Sequence, residues 1–329
     1  MARRREWTKE TLAAGVREGD RRALARAITL VENADPLAYE LVQEVYPETG
    51  RAYTVGITGP PGVGKSSLIS ALVRHVREQG RSVGVISVDP SSPFSQGALL
   101  GDRIRLSDHF LDPDVFIRSM GTRGHLGGLA ETTLQAMLVL DAAGKDVLFV
   151  ETVGAGQSEV EVLGIADTIV LVLMPGSGDS VQALKAGIME IPDVIAINKM
   201  DHPAAKTMVN EVRSILTLDK ERAWKPPIVL TDATRGENVP ELWEKIAEHR
   251  EHLESEGLLD ERRRKNLASE VFALASGRAK LHLEHAVSGD PELRRLLDEV
   301  QKRELDPLTA VREILQKVFH VDGDDRSQS

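Results

Sequence analysis

A chain of 329 residues has room for two domains or for one large α/β unit with appendages. Its 41 lysines and arginines against 51 aspartates and glutamates leave a net charge of −10, and aromatic residues make up only 4%. Both figures argue against nonspecific nucleic-acid binding and base-stacking surfaces. With no cysteine, disulfides, thiolate zinc sites, iron–sulfur clusters and cysteine nucleophiles drop out, while 41% hydrophobic residues can build a sizeable core.

The basic start, Met1–Glu6, is followed by a charged helical pattern, not an apolar h-region, and Glu6, Glu10 and Glu18 do not suit an organellar presequence. No apolar run approaches the ~20 residues that cross a bilayer. A soluble, cytoplasmic protein is expected. Residues 1–48 read as an N-terminal helical region. Thr8 suits an N-cap, Gly19-Asp20 a stop and a new cap, and Asp35-Pro36 a third helix start. Leu24, Ala27, Ile28 and Val31, then Leu37, Leu41, Val42 and Val45, fall at helical spacing. So few apolar residues cannot fold alone, and the region should pack against the domain after it.

Over 49–250 the pattern changes to short, β-branched apolar runs: Tyr53–Thr58, Val83–Val88, Val115–Met120, Val147–Glu151, Thr168–Met174, Val194–Asn198 and Ile228–Thr231. Helical stretches such as Ser66–Glu78, Leu129–Ala142, Pro203–Leu216 and Val239–Leu253 separate most of them. Near-continuous apolar strands alternating with helices predict an α/β fold with a doubly wound, mostly parallel sheet. Ligands then belong at the carboxyl ends of the strands.

The first such end reads Gly59-Pro60-Pro61-Gly62-Val63-Gly64-Lys65-Ser66, a complete phosphate-binding loop between a strand and an apolar helix. Its glycines let backbone N–H groups converge on phosphate oxygens at a helix N-terminus. Lys65 would reach the β- and γ-phosphates, Ser66 would ligate magnesium, and Ser67 would add a phosphate contact. Asp89 ends the second run and Asp102 follows in Gly101-Asp102-Arg103; each is a candidate magnesium ligand or a helix cap. The fourth run ends in Glu151-Thr152-Val153-Gly154, where Glu151 could hold the metal and the Gly154 N–H could approach the γ-phosphate.

Glycine-rich loops follow the third and fifth runs, at Thr122–Gly128 and Pro175–Asp179. Lys185, beyond the second loop, reads first as a solvated helix lysine. It is also a candidate catalytic charge if that loop moves. The sixth run ends in Asn198-Lys199-Met200-Asp201, the guanine-reading pattern. Asp201 can accept from guanine N1–H and its exocyclic amine. Asn198 suits the purine edge and loop bracing, and the Lys199 stem can cover the base. In Asp232-Ala233-Thr234, after the last run, the Ala233 N–H could bond guanine O6. The expected ligand is GTP with Mg2+.

Residues 251–320 return to amphipathic helices, with Asp290-Pro291 and Asp306-Pro307 as helix starts. Their apolar faces need a partner surface, and a second copy of the chain is a reasonable one. Residues 321–329 read as a flexible tail. The His249/His252 and His282/His285 pairs, and Arg262-Arg263-Arg264-Lys265, read as solvated surface; the basic run alternatively pairs with a partner's acids.

Gly59–Ser67, Val88-Asp89-Pro90-Ser91-Ser92, Glu151–Glu159, Asn198–Asp201 and the Thr-Arg-Gly-His-Leu-Gly-Gly stretch together resemble the MeaB/ArgK family of P-loop GTPases, chaperones of methylmalonyl-CoA mutase. The resemblance spans the GTPase core and both helical flanks. It implies a GTP hydrolase, slow alone and partner-stimulated, and a homodimer held by its C-terminal helices. It also implies a client, an adenosylcobalamin-dependent mutase, whose cofactor loading the protein gates and which it protects from inactivation. The histidine-rich and cysteine metal stores of hydrogenase and urease metallochaperones are missing, which disfavours nickel delivery. Glu151 departs from the usual aspartate of GTPases but agrees with the cobalamin branch, whereas Asp232-Ala233-Thr234 departs from the usual Ser-Ala. A GTPase metallochaperone for another metalloenzyme and a nucleotide-gated scaffold with secondary hydrolysis are the alternatives. An ATP-dependent transport kinase conflicts with Asn198–Asp201.

Overall fold

A computed structural model describes residues 7–89, 106–121, 128–152, 164–180, 191–217 and 223–320. Among them no helix is long and apolar enough to cross a membrane. The chain forms two compact units, Met1–Glu270 and Val271–Ser329.

The first unit is built on seven strands: β1 (Tyr53–Thr58), β2 (Val83–Asp89), β3 (Val115–Gly121), β4 (Val147–Thr152), β5 (Thr168–Leu173), β6 (Val194–Asn198) and β7 (Ile228–Thr231). They form one sheet in the order β3-β2-β4-β1-β5-β6-β7, and every pairing is parallel. Each predicted run is therefore a strand, and the doubly wound α/β reading holds. From β1 the chain crosses to one side for β2 to β4 and to the other for β5 to β7. The carboxyl end of β1 is thus the crevice where such sheets bind ligands.

Alternation along each strand divides the core. Val83 and Val85, Val147 and Phe149, and Tyr53, Val55 and Ile57 share a cluster with Leu68, Leu72 and Val76 of α4 (Lys65–Glu78). Ile86, Val88, Leu148 and Val150 belong to a second cluster with Ala136, Val139 and Leu140 of α5 (Gly128–Ala142). That cluster also takes Leu12, Leu24, Ile28 and Leu41 from α1 (Lys9–Arg17), α2 (Arg21–Glu32) and α3 (Pro36–Val45). The N-terminal helices thus complete one face of the sheet. Thr8, Asp20 and Asp35 cap them through side-chain oxygens that accept first-turn N–H groups. The helix α6 (Ala205–Leu216) covers β5 and β6 through Met208 and Val212, and α7 (Val239–Ser255) places Leu242, Trp243 and Ile246 in the first cluster.

At the amino edge of the sheet, four strands begin directly after an aspartate, and each aspartate is bonded to a neighbouring element. Asp114 accepts from Arg77 at 2.6 Å, and Asp146 from Ser82 N at 2.7 Å. Asp167 accepts from Thr54 N at 2.9 Å and Asp193 from Ile169 N at 2.9 Å. Two of them also meet α8 (Leu258–Gly289). Arg263 spans both carboxylate oxygens of Asp167 at 2.7 Å, and Arg262 spans those of Asp193 at 3.1 and 2.7 Å. The Arg263–Asp167 hydrogen bonds hold the guanidinium above its ordinary pKa.

The solvated readings of Arg262, Arg263 and His249 are therefore corrected. His249 is only 1% exposed. Its Nδ1 lies 2.7 Å from Thr168 Oγ1, which also meets the Tyr53 hydroxyl, and its Nε2 lies 3.4 Å from Asp193. Trp224 packs beside it and donates its indole N–H to Asp193 O at 2.7 Å. Once α7 and α8 pack on the sheet, their inward polar groups must find partners, and the strand-leading aspartates supply them.

The second unit holds the end of α8, then α9 (Pro291–Gln301) and α10 (Pro307–Phe319). Asp290 and Asp306 cap α9 and α10, each ahead of a first-turn proline. Lys317 joins both Asp290 and Glu292. Leu293, Leu296 and Ala310 are buried, but Phe272 is 73% and Leu308 81% exposed. His282 and His285 lie on the surface, the former beside Phe319.

Candidate functional site

The loop from Gly59 to Gly64 joins β1 to α4, and its glycines have a steric cause. Gly59 adopts φ +144°, and a Cβ there would lie 2.1 Å from Val172 O of β5. Gly64 adopts φ +95°, and a Cβ there would lie 2.4 Å from Asn198 Nδ2. Gly62, at φ +76°, turns the exposed tip. Pro60 and Val63 are buried and Pro61 is exposed. Lys65, also buried, donates from Nζ to Gly59 O at 2.8 Å and Pro60 O at 3.0 Å, so its ammonium curls over the loop. Ser66 and Ser67 follow in the first turn of α4, where N–H groups and helix dipole favour an anion.

Glu151, at the carboxyl end of β4, is 3% exposed. Ser66 Oγ donates to its Oε1 at 2.7 Å and Ser87 Oγ to its Oε2 at 3.0 Å. A buried carboxylate with an adjacent hydroxyl is an oxygen-only donor set, the kind magnesium takes alongside substrate phosphates. While the Ser66 proton points to Glu151, its oxygen keeps lone pairs for a cation. The residues therefore fit Mg2+. Asp89 is the last residue of β2, one strand from Glu151. Asp102, Gly154 and Lys185 lie outside the described residues.

Asn198 closes β6 and is buried. Its Nδ2 donates to Val63 O at 2.8 Å, and its Oδ1 accepts from Ala233 N at 3.0 Å. The amide is thus a strut between the phosphate loop and the turn after β7. The bracing role fits this geometry, and the second N–H of the amide is left for the purine edge. The Ala233 N–H, expected to meet guanine O6, donates to Asn198 Oδ1 here. Lys199 has φ +59° and is exposed, as is Asp201, so the turn throws both side chains clear of the strand end. Asp232 is buried and bends the other turn, its Oδ1 accepting from Thr234 N at 2.9 Å and Arg235 N at 3.0 Å; Thr234 is exposed.

Phosphate loop, hydroxyl–carboxylate pair and Asn-Lys-x-Asp turn thus lie at one edge of a parallel sheet. The sequence family described as "Methylmalonyl Co-A mutase-associated GTPase MeaB" matches residues 24–288. The chain belongs to the MeaB family of GTPases. Among MeaB-family relatives, a Pyrococcus abyssi protein whose name assigns it provisionally to the GTPases is 50% identical over 308 residues, 92% of this chain and 95% of its own. The GTPase ArgK of Escherichia coli is 34% identical over 309 residues, 91% of this chain and 93% of its own. A crystal structure titled LAO/AO transport system kinase superposes with a TM-score of 0.73 at 29% identity, covering 95% of this chain and 98% of that one.

Sequence reasoning missed Ser87. Its signal was present: Val83-x-Val85-x-Ser87 and Val147-x-Phe149-x-Glu151 both turn polar at the same last position on the α4 side.

Proposed function

We propose that this MeaB-family chain binds GTP with Mg2+ and hydrolyses it slowly alone and faster with its client, an adenosylcobalamin-dependent methylmalonyl-CoA mutase. It gates cofactor loading of that mutase and protects it from inactivation. The observation that carries the nucleotide reading is the Ser66–Glu151 pair, 2.7 Å apart at the head of the phosphate-loop helix. The family description supports the client.

When bound, Mg2+ would supply charge neutralisation at the phosphates, held by Ser66 and Glu151 with Asp89 and Asp102 as further ligands. Gly59 to Ser67 offer backbone and hydroxyl donors to the phosphates, and Lys65 turns its ammonium from the loop carbonyls to the β- and γ-oxygens. Gly154 offers an N–H to the γ-phosphate. Asp201 reads the guanine edge, Lys199 covers the base, and Asp232, Ala233 and Thr234 shape the turn beneath it. Catalysis rests on positioning and charge stabilisation, with Lys185 as a further charge. Residues 1–48 complete the 49–250 core. Residues 251–320 pair with a second copy through exposed apolar residues such as Phe272, Leu308 and Val311.

GTP turnover measured with and without purified mutase tests this reading, with ATP as a second substrate. GTP-specific acceleration by the mutase is expected, together with a fall of about 10²–10³-fold in Lys65→Ala. Turnover indifferent to the mutase would remove the client, and adenine preference would remove the base assignment.

A further inference from the structure

On the α4 side of the sheet, the three strands β3, β2 and β4 follow one rule. Two apolar positions face the helix, Val115 and Ile117, Val83 and Val85, Val147 and Phe149, and the next inward position is polar. Those polar positions, Ser119, Ser87 and Glu151, are in register with one another across the sheet. All three are buried. Register partners on adjacent parallel strands project to the same face, so the row is a polar strip closing an apolar layer.

A carboxylate buried this deeply needs hydrogen bonds to remain charged. Ser66 comes from the phosphate-loop helix and holds Oε1; Ser87 comes from β2 and holds Oε2 at 3.0 Å. Ser66 is itself a metal candidate, so its position depends on the loop. Ser87 sits in the middle of a paired strand, with Ile86 and Val88 buried on the opposite face. Its hydroxyl is therefore the fixed reference against which the carboxylate is oriented. A second-row hydroxyl of this kind sets the rotamer of a ligating carboxylate and tunes its donor strength.

We propose that Ser87 is a positioning residue for the Mg2+ site, holding Glu151 Oε2 so that the other carboxylate oxygen and the Ser66 hydroxyl face the cation together. The inference rests on the GTP–Mg2+ reading of the site. Removing the hydroxyl takes a hydrogen bond from Glu151 Oε2 and loosens the carboxylate's orientation, so metal affinity falls while phosphate and base contacts stay.

The release rate of a fluorescent GDP analogue, followed across a Mg2+ titration and in EDTA, tests this directly. In Ser87→Ala the Mg2+ concentration giving half-maximal retention should rise by about 10-fold or more. Release in EDTA should remain close to wild type. Ser87→Thr, which keeps the hydroxyl and suits a strand, should restore most of the metal affinity. An unchanged half-point in a folded Ser87→Ala, confirmed by its thermal midpoint, overturns the proposal. So does an equal change in EDTA, which would place Ser87 in the loop's own stability. If Ser87→Thr behaves like Ser87→Ala, side-chain packing and not the hydroxyl is responsible, and the proposal fails. Mg2+-independent release in the wild type would instead overturn the underlying metal reading.

Discussion

The two edges of the sheet hold their charges in different ways. At the amino edge, Asp167 and Asp193 are each clasped by both arms of an arginine and by a strand N–H, a closed arrangement with little left to exchange. At the carboxyl edge, Lys65 donates to two loop carbonyls and Glu151 accepts from two hydroxyls, contacts that phosphate and cation can outcompete. Charged groups arranged in the first way hold the fold, and those in the second way are poised for a ligand.

Asp193→Ala tests that division most severely. It strands Arg262 and removes the acceptor of Ile169 N. Stability should fall by about 3 kcal/mol, the lower end for breaking a buried pair, because the arginine is partly exposed. Urea unfolding should register the loss, while nucleotide affinity per folded molecule stays unchanged. Asn198→Ala comes next and should show the opposite balance. Two hydrogen bonds between the phosphate loop and the β7 turn disappear at about 1 kcal/mol each, and guanine-nucleotide affinity should fall in step when measured by calorimetry.

The smallest effect belongs to His109, which lies at neither edge. Its Nε2 is 3.0 Å from Ser70 O and from Ser70 Oγ, so it pins the middle of α4. Burial lowers its pKa, opposed by the Ser70 bond, with Arg74 acting in the same direction as burial and Asp108 and Asp112 against it. The unfolded chain therefore binds the proton more readily, and stability is lost as pH falls below about 6.5 towards the folded-state pKa. Denaturation midpoints at pH 7.5 and 5.5 should differ less in His109→Asn than in wild type.

The strands were legible because each is a continuous β-branched run bounded by turn residues, and the phosphate loop because its spacing is local. Asp20, Asp35, Asp290 and Asp306 were legible as caps for the same reason: cap and helix lie within four residues. His249 and Arg263 were not. On their own helices they sit among glutamates and arginines, and only packing against β5 and β6 buries or pairs them. The bond from the Ala233 N–H to Asn198 was not legible either, because the two residues are 35 positions apart. An aspartate ahead of β3, β4, β5 and β6 alike was a usable sign that the amino edge is a bonded surface.

Those aspartates also bear on alignment during folding. Strands that are apolar on both faces, such as β5 and β6, have little alternation to distinguish one register from a neighbouring one. A one-residue slip of β5 along β1 would still bury valine, leucine and isoleucine, yet it would carry Asp167 away from Thr54 N. A slip of β6 along β5 would likewise separate Asp193 from Ile169 N. Each aspartate thus acts as an index mark that penalises misaligned pairing, so its removal should raise the yield of trapped, mispaired chains during refolding as well as loosening the finished sheet.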